Sequence, residues 1–407
     1  MLDRFSGSVI TFAVVAAAAS VVISAHIARA LAQAPAASGT APAPAHAPKT
    51  PWGEPDLQGI WTDEFDTPFQ RPAKFANQEY FTEAQREEMD KARSSLLSND
   101  ERQGRGSELD VAGGYNGVFL TVKRTSARTS RIVDPPNGLI PPRTAEAQKA
   151  GAADREFYLA LLQATETCKN NLPACSGGKY DPTPSRRRAE PPPRYNTQHI
   201  NRDDGPEDHW PNDRCLGRGL PEFGTPFGGS FRRIVQTPGG ISMFYDVGQG
   251  QGWQRNIVMD GSPHLPNNIR QWFGDSRGHW EGSTLVVDVT NFGPKTDFLG
   301  SRENLHLVER WTRTAPSTLE YEVTVEDPTV WTRPWTARQE FTKQSDAENR
   351  VYYEPRCVEG NYGLPGMLYG RRMEERAFAE QRGPDPATRD SVRDAVIIEQ
   401  DPLNRIR

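Results

Sequence analysis

The sequence predicts a mainly β protein: an antiparallel β-barrel with an N-terminal helical and irregular extension and a C-terminal helix. From Cys215 onward, short runs rich in β-branched and aromatic residues recur at even spacing, at 231–236, 241–247, 253–259, 268–273, 284–290, 304–314, 319–326, 335–343 and 350–356. Turn-forming sequences separate them, among them Thr237-Pro238-Gly239-Gly240, Asp260-Gly261 and Asp275-Ser276-Arg277-Gly278. Leu319, Tyr321, Val323 and Val325 alternate with Glu320, Glu322 and Thr324, which is the period of a strand with one apolar and one polar side. Consecutive strands of this kind are best closed into a barrel, because closure leaves no unpaired edge.

The elements before the barrel differ in kind. Residues 1–32 read as a secretory signal peptide: Arg4 supplies the positive start, Val9 to Ala25 is uncharged and apolar, and Ala30-Leu31-Ala32 is a small-residue cleavage site. Residues 33–50 are rich in Ala and Pro, a composition that buries too little surface to offset chain entropy and so predicts a linker. Residues 51–200 are expected to form a mixed helical and irregular segment packing on the barrel. There Thr82 to Ser95 carries a capping-box start, with Thr82 as cap and Gln85 three residues on. Arg131 to Val133 is a short strand before a Pro135-Pro136-Asn137-Gly138 turn, a second helix runs over 144–167, and the Pro-rich 176–194 is a surface excursion. Residues 201–383 form the barrel domain, whose C-terminal helix spans Met367 to Gln381, and 384–407 are a tail.

Charge and cysteine usage narrow the partners. A formal net charge of −5 without a basic block is a poor match for nucleic acid. No apolar run beyond the signal is long enough to span a membrane. Four cysteines in an exported chain predict two disulfides, Cys168–Cys175 closing a local loop and Cys215–Cys357 tying the start of the β region to its last strand. No cofactor and no metal is expected, because the histidines lack ligand spacing; His199 and His209 stand ten apart in loop sequence. A zinc or copper site assembled from distant strands is the alternative.

The densest chemistry lies in 268–292, which collects Arg270, Asp275, Arg277, His279, Glu281 and Asp288 around strand-forming sequence. Alternation sorts the next strand: Leu305, Leu307, Glu309 and Trp311 share one face, and His306, Val308, Arg310 and Thr312 the other. A carboxylate on an apolar face needs a cationic partner or a raised pKa. The expected catalytic set is therefore Glu309 with His279, His306, Arg277 and Asp275. His279 or Arg277 would reach Glu309 from the preceding hairpin, and His306 would reach it only across a bulge. The plainer alternative is a structural Arg–Glu pair holding the barrel shut. Arg270, Trp272, Tyr245, Arg310, Trp311 and Asp288 are the expected binding residues, aromatic walls and charges suiting a flat or apolar molecule with an acidic group. There is no nucleophile elbow and no phosphate-binding glycine motif.

Two parts of the sequence resemble known families. Gly59-Ile60-Trp61 resembles the G-x-W of the first strand in lipocalin-like (calycin) barrels, where the Trp plugs the closed end. The blocks RTSRIVDPPNGLIPP, DRCLGRGLP, PHLPNNIRQWFGDSRGHWEGSTLVVDVTNF, NLHLVERWTRTAPSTLEYEVTVEDPTVWTRPWT and CVEGNYGL, spanning most of Arg128 to Leu364, are similar to a family of exported bacterial proteins. The resemblance implies export and β architecture rather than a reaction. Members often carry His directly after the last-strand cysteine, where this chain has Val358; if relatives use that histidine, this chain needs another, such as His279.

Two functions follow. The first is an exported enzyme running metal-free acid/base chemistry, of hydro-lyase, isomerase or hydrolase type, on a small, partly apolar substrate in the barrel pocket. The second is a non-catalytic periplasmic or secreted protein binding a small apolar or aromatic ligand.

Overall fold

The computed structural model describes residues 48–96, 123–211, 213–217, 219–223, 231–248, 251–345 and 362–391. The expected signal peptide, nearly all of the linker, the 350–356 strand, Cys357 and the tail beyond 391 lie outside the described residues.

Strands β1 (Gly59–Thr62) and β5 to β12 form the barrel: Phe231–Thr237, Gly240–Gly248, Gln251–Val258, Asp275–Glu281, Thr284–Thr290, His306–Ala315, Thr318–Glu326 and Trp335–Lys343. Among the described residues the order is β1-β5-β6-β7-β8-β9-β10-β11-β12, and β12 pairs back to β1, with Trp61 opposite Lys343 and Thr62 opposite Thr342. The pairings are antiparallel except where β7 meets β8, which run parallel at Val258 and Arg277. The short strand β4 (Ile132–Asp134) pairs with the start of β12 at Thr336 and Ala337, on the edge whose far end meets β1. Thus the closing strand comes from the 51–200 stretch expected to pack on the barrel, at the Gly59-Ile60-Trp61 that resembles a first barrel strand. Strands β2 (Phe65–Asp66) and β3 (Arg124–Thr125) make a separate parallel pair.

Alternation turns the apolar side chains of these strands inward, as expected. Leu307, Glu309, Trp311 and Arg313 of β10 are buried while their neighbours are not, and β11 buries Leu319, Tyr321, Val323 and Val325. Together with Trp61, Met243, Tyr245, Val287, Trp335 and Phe341, the apolar members form one continuous core. Each fully buried Val, Leu or Phe contributes about 1.5–3 kcal/mol. Trp61 is completely buried, donates from its indole N–H to the Leu57 carbonyl (2.8 Å) and lies under the Arg313 guanidinium.

One stretch departs from expectation. Residues 268–273 form turns and bridges instead of a strand, and the strand begins at Asp275, where the sequence pattern predicts a turn. Gly274 explains the shift. Its φ of 67° is left-handed, and a Cβ there would meet the Thr290 carbonyl oxygen at 2.6 Å, so the turn is fixed one step earlier. The hairpin to β9 then turns at Gly282, φ 61°.

The helices match their signals. α1 (Glu83–Leu96) has the reciprocal capping box: Gln85 N–H donates to Thr82 Oγ1 at 3.3 Å and Thr82 N–H to Gln85 Oε1 at 2.8 Å. α2 (Ala145–Leu162) is capped by Thr144, whose hydroxyl accepts from Ala147 N–H, and buries Phe157 and Leu161 against Ile200. It stops at Leu162, short of the expected 167, and α3 (Glu166–Lys169) follows as a separate turn. Cys168 and Cys175 are disulfide-bonded, with Cα atoms 5.1 Å apart. Cys215 is also disulfide-bonded. α4 (Gly363–Ala379) is the C-terminal helix. Among the described residues no helix is long and apolar enough to cross a membrane.

Candidate functional site

The structure distributes the expected site residues over three places. In the lumen, Glu309 is fully buried and its Oε2 lies 2.7 Å from Arg255 Nη1. Tyr321 donates its hydroxyl proton to Glu309 Oε1 (2.9 Å), and Arg255 donates to the Tyr245 hydroxyl (3.2 Å) and the Ser276 hydroxyl (2.9 Å). Trp311 stacks on Tyr321 at 4.2 Å. Burial disfavours the Arg255 charge, but the neighbouring Glu309 more than restores it and holds the guanidinium pKa above its usual value. Burial, then Glu309, pushes the Tyr321 hydroxyl well above the normal phenol range. No histidine joins this group among the described residues. The lumen is a filled core holding an Arg–Glu pair, the plainer of the two alternatives for Glu309. Its cation, Arg255, is legible in the alternation Trp253-x-Arg255-x-Ile257, which places it inward.

The second place is the outer wall. His279, Arg277, Arg310, Asp288 and His306 have the opposite parity to Glu309 and cannot reach it, because no bulge interrupts β10 near His306. His279 pairs with Glu281 (3.3 Å) and Arg310 with Glu281 (2.8 Å) in solvent. The remaining residues converge through a histidine that carries no sequence signal, His264, in the loop after β7. Its Nδ1 lies 2.9 Å from Asp275 and its Nε2 2.8 Å from Asp288; Asp288 also meets His306 Nε2 at 2.9 Å, and His306 Nδ1 faces Glu326 at 3.3 Å. Arg277 closes the end on Asp275 (3.0 Å), with its other arm on Ser262. The hydrogen bond from the His306 Nε2–H to Asp288 raises the His306 pKa and lowers that of Asp288. Burial opposes ionisation of Asp275, but Arg277, the Leu265 N–H and His264 together pull its pKa below the ordinary value. The chain Asp275–His264–Asp288–His306–Glu326 is half-exposed over most of its length, so water reaches most of its members.

The third place is a groove between α2 and the barrel loops. A cleft of about 580 Å³ is lined by Arg143, Asp154, Arg155, Phe157, Tyr158, Arg194, Tyr195, Asp297 and Arg302, among others. An adjoining cleft of about 310 Å³ shares Thr197, Gln198 and Asp297 and adds Trp210, Trp272 and Lys295. Of the expected binding residues only Trp272 lies here, its indole N–H donating to the Gly217 carbonyl (2.7 Å). Arg270 donates to the Glu303 carbonyl (2.7 Å) on the exposed rim of the loops. In the groove Arg194 pairs with Asp154, and Arg302 with Asp297 (3.1 Å). Arg143 and Arg155 bond only carbonyl oxygens, of Leu299 and of Ala174 and Ser176, and meet no carboxylate among the described residues. Sequence reasoning misses these arginines because they lie on separate segments without a motif.

Behind the groove, the ring of His199 stacks on that of His209 at 4.7 Å beside the Asp203 carboxylate.

No protein-family model matches the chain, and no curated protein does. Among solved structures, the chain is similar to the fluorescent protein UnaG. A point mutant of UnaG matches at 14% identity and a TM-score of 0.19, over 30% of this chain and 79% of that one. Wild-type UnaG matches at 14% and 0.18, over 28% and 72%. At these scores the likeness has no bearing on function.

Proposed function

We propose that the protein is an exported small-molecule-binding protein whose groove between α2 and the barrel loops takes a flat, acidic ligand. The observation that carries this reading is the pair Arg143 and Arg155: two guanidiniums without a carboxylate, among the described residues, in a groove of several hundred Å³ walled by Phe157, Tyr158, Tyr195, Trp210 and Trp272. Guanidinium forks match carboxylates, and aromatic faces match planar apolar bodies. The location differs from the lumen expected from sequence, where the described inward side chains are buried against one another.

The test is calorimetric titration with 2-naphthoate and its neutral amide. The acid is expected to bind at about 1 mM or tighter and the amide at least about tenfold more weakly, a difference of ~1.4 kcal/mol. Arg143→Gln with Arg155→Gln should erase that preference while leaving the fold intact. Equal binding of acid and amide by the unaltered protein would refute the reading.

Acid/base catalysis is the second reading, favoured by the imidazole–carboxylate chain on the outer wall. Hydration, dehydration or hydrolysis would change a ligand's mass, isomerisation would change its chromatographic retention at constant mass, and either would be lost in His306→Gln. Bound compounds recovered with unchanged mass and retention would leave the binding reading alone.

A further inference from the structure

We infer that His199, Asp203 and His209 form a binding site for a divalent transition-metal ion of the zinc class. The site is built by a chain reversal. Asp208 receives the Arg202 guanidinium (2.9 and 3.1 Å) and the Asp204 N–H (2.8 Å), and Ile200 N–H donates to the Asp208 carbonyl (3.1 Å). This tight turn, ending in Pro206–Asp208, brings residues ten apart in sequence side by side. One ring nitrogen from each histidine and one Asp203 oxygen all lie within 4.8 Å of one another.

Three features distinguish the cluster from an ordinary ion pair. First, the residues are deeply buried, with exposures of 6% for His199, 6% for Asp203 and 1% for His209. Second, the two Nε2 atoms approach the same Asp203 Oδ1, at 3.8 and 3.1 Å, yet neither has an aligned hydrogen-bond partner among the described residues. Buried nitrogens left in this way are costly, whereas a cation accepts a lone pair from each of the three atoms together. Third, charged groups flank the outer atoms beyond hydrogen-bond distance: Asp213 stands 3.7 Å from His209 Nδ1, and Arg371 lies 4.0 Å from the second Asp203 oxygen. A carboxylate behind a ligating histidine is the usual arrangement around a metal. Two imidazoles and a carboxylate leave one position of a tetrahedral ion for water. The site is independent of the groove reading, since none of its ligands lines either cleft.

The test uses the full chain without a histidine tag, stripped with chelator and titrated with Co²⁺ and then Zn²⁺. One equivalent of Co²⁺ is expected, with the intense visible absorption of a tetrahedral N/O site, displaced by Zn²⁺. His199→Gln or Asp203→Asn should weaken binding by more than about 100-fold, and Asp213→Asn by about 10- to 100-fold. His279→Gln, on the outer wall, should leave stoichiometry and spectrum unchanged. X-ray absorption of the unaltered zinc-loaded protein should show two imidazoles in the coordination shell, a readout that survives if the variants fail to fold. Absence of bound Co²⁺ and Zn²⁺ in the unaltered protein, or loss of the site in His279→Gln, would overturn the assignment in favour of a proton shared between the histidines and Asp203.

Discussion

The lumen and the outer wall of the barrel are built from the same strands, and each carries carboxylates with nitrogen partners, yet they do different physical work. Inside, Arg255, Glu309, Tyr245 and Tyr321 are all buried, and their charges are tolerated only because each faces the other. Outside, Asp288 joins His264 and His306 where water reaches all three, so none of them relies on the others to replace lost solvation. One register shift separates the two sets, since Glu309 and Arg310 are adjacent in β10. The lesson is that strand parity, more than residue type, decides whether a charge is scaffold or exchangeable chemistry.

The largest effect that would sharpen this contrast is Glu309→Ala. It strands Arg255 in the core and is expected to cost about 3–5 kcal/mol in chemical denaturation. Replacing both partners, Arg255→Met with Glu309→Leu, should recover most of that loss; if the double variant is as unstable as the single one, the pair is not the cause. On the outer wall, His306→Gln should cost only about 0.5–1 kcal/mol. Its pH dependence is the sharper readout. The His306 pKa is raised, so its contribution is full below the unfolded value near 6.5 and fades as pH rises through the folded value. The Asp288 pKa is lowered, so its contribution is present above about 3.8 and fades as pH falls through its folded value. Unaltered protein and His306→Gln should therefore differ most in mildly acidic buffer and converge at alkaline pH. A difference that grows with pH would contradict the assigned pairing. The smallest effect is expected from Arg310→Gln, whose partner Glu281 is solvated: the melting midpoint should not move at moderate salt.

Much of the barrel is legible in the sequence because its signals are local. The alternation of β10 and β11, the Thr82 capping box and the Thr144 cap each depend on residues a few positions apart. The run 268–273 reads as a strand because Ile269, Trp272 and Phe273 have strand propensity, but Gly274 fixes the turn through a backbone conformation that propensity does not register. Sites assembled from distant segments are not legible. His264 has no periodicity in its Pro-flanked loop, and nothing in the spacing of Arg143, Arg155, Arg194 and Arg302 announces a groove. His199 and His209 meet only because the Asp208 turn folds the chain back on itself.

The barrel is shut by its earliest strand: Trp61 and Thr62 lie against β12, and Gln344 bonds the Thr62 hydroxyl across 282 residues of chain. During synthesis that strand emerges long before its neighbour exists. The ring cannot seal until nearly the whole polypeptide is available, and high contact order makes such an event slow. A chain that stays open this long remains threadable through a narrow pore, while its waiting edges need shielding from other copies until the last hairpin arrives.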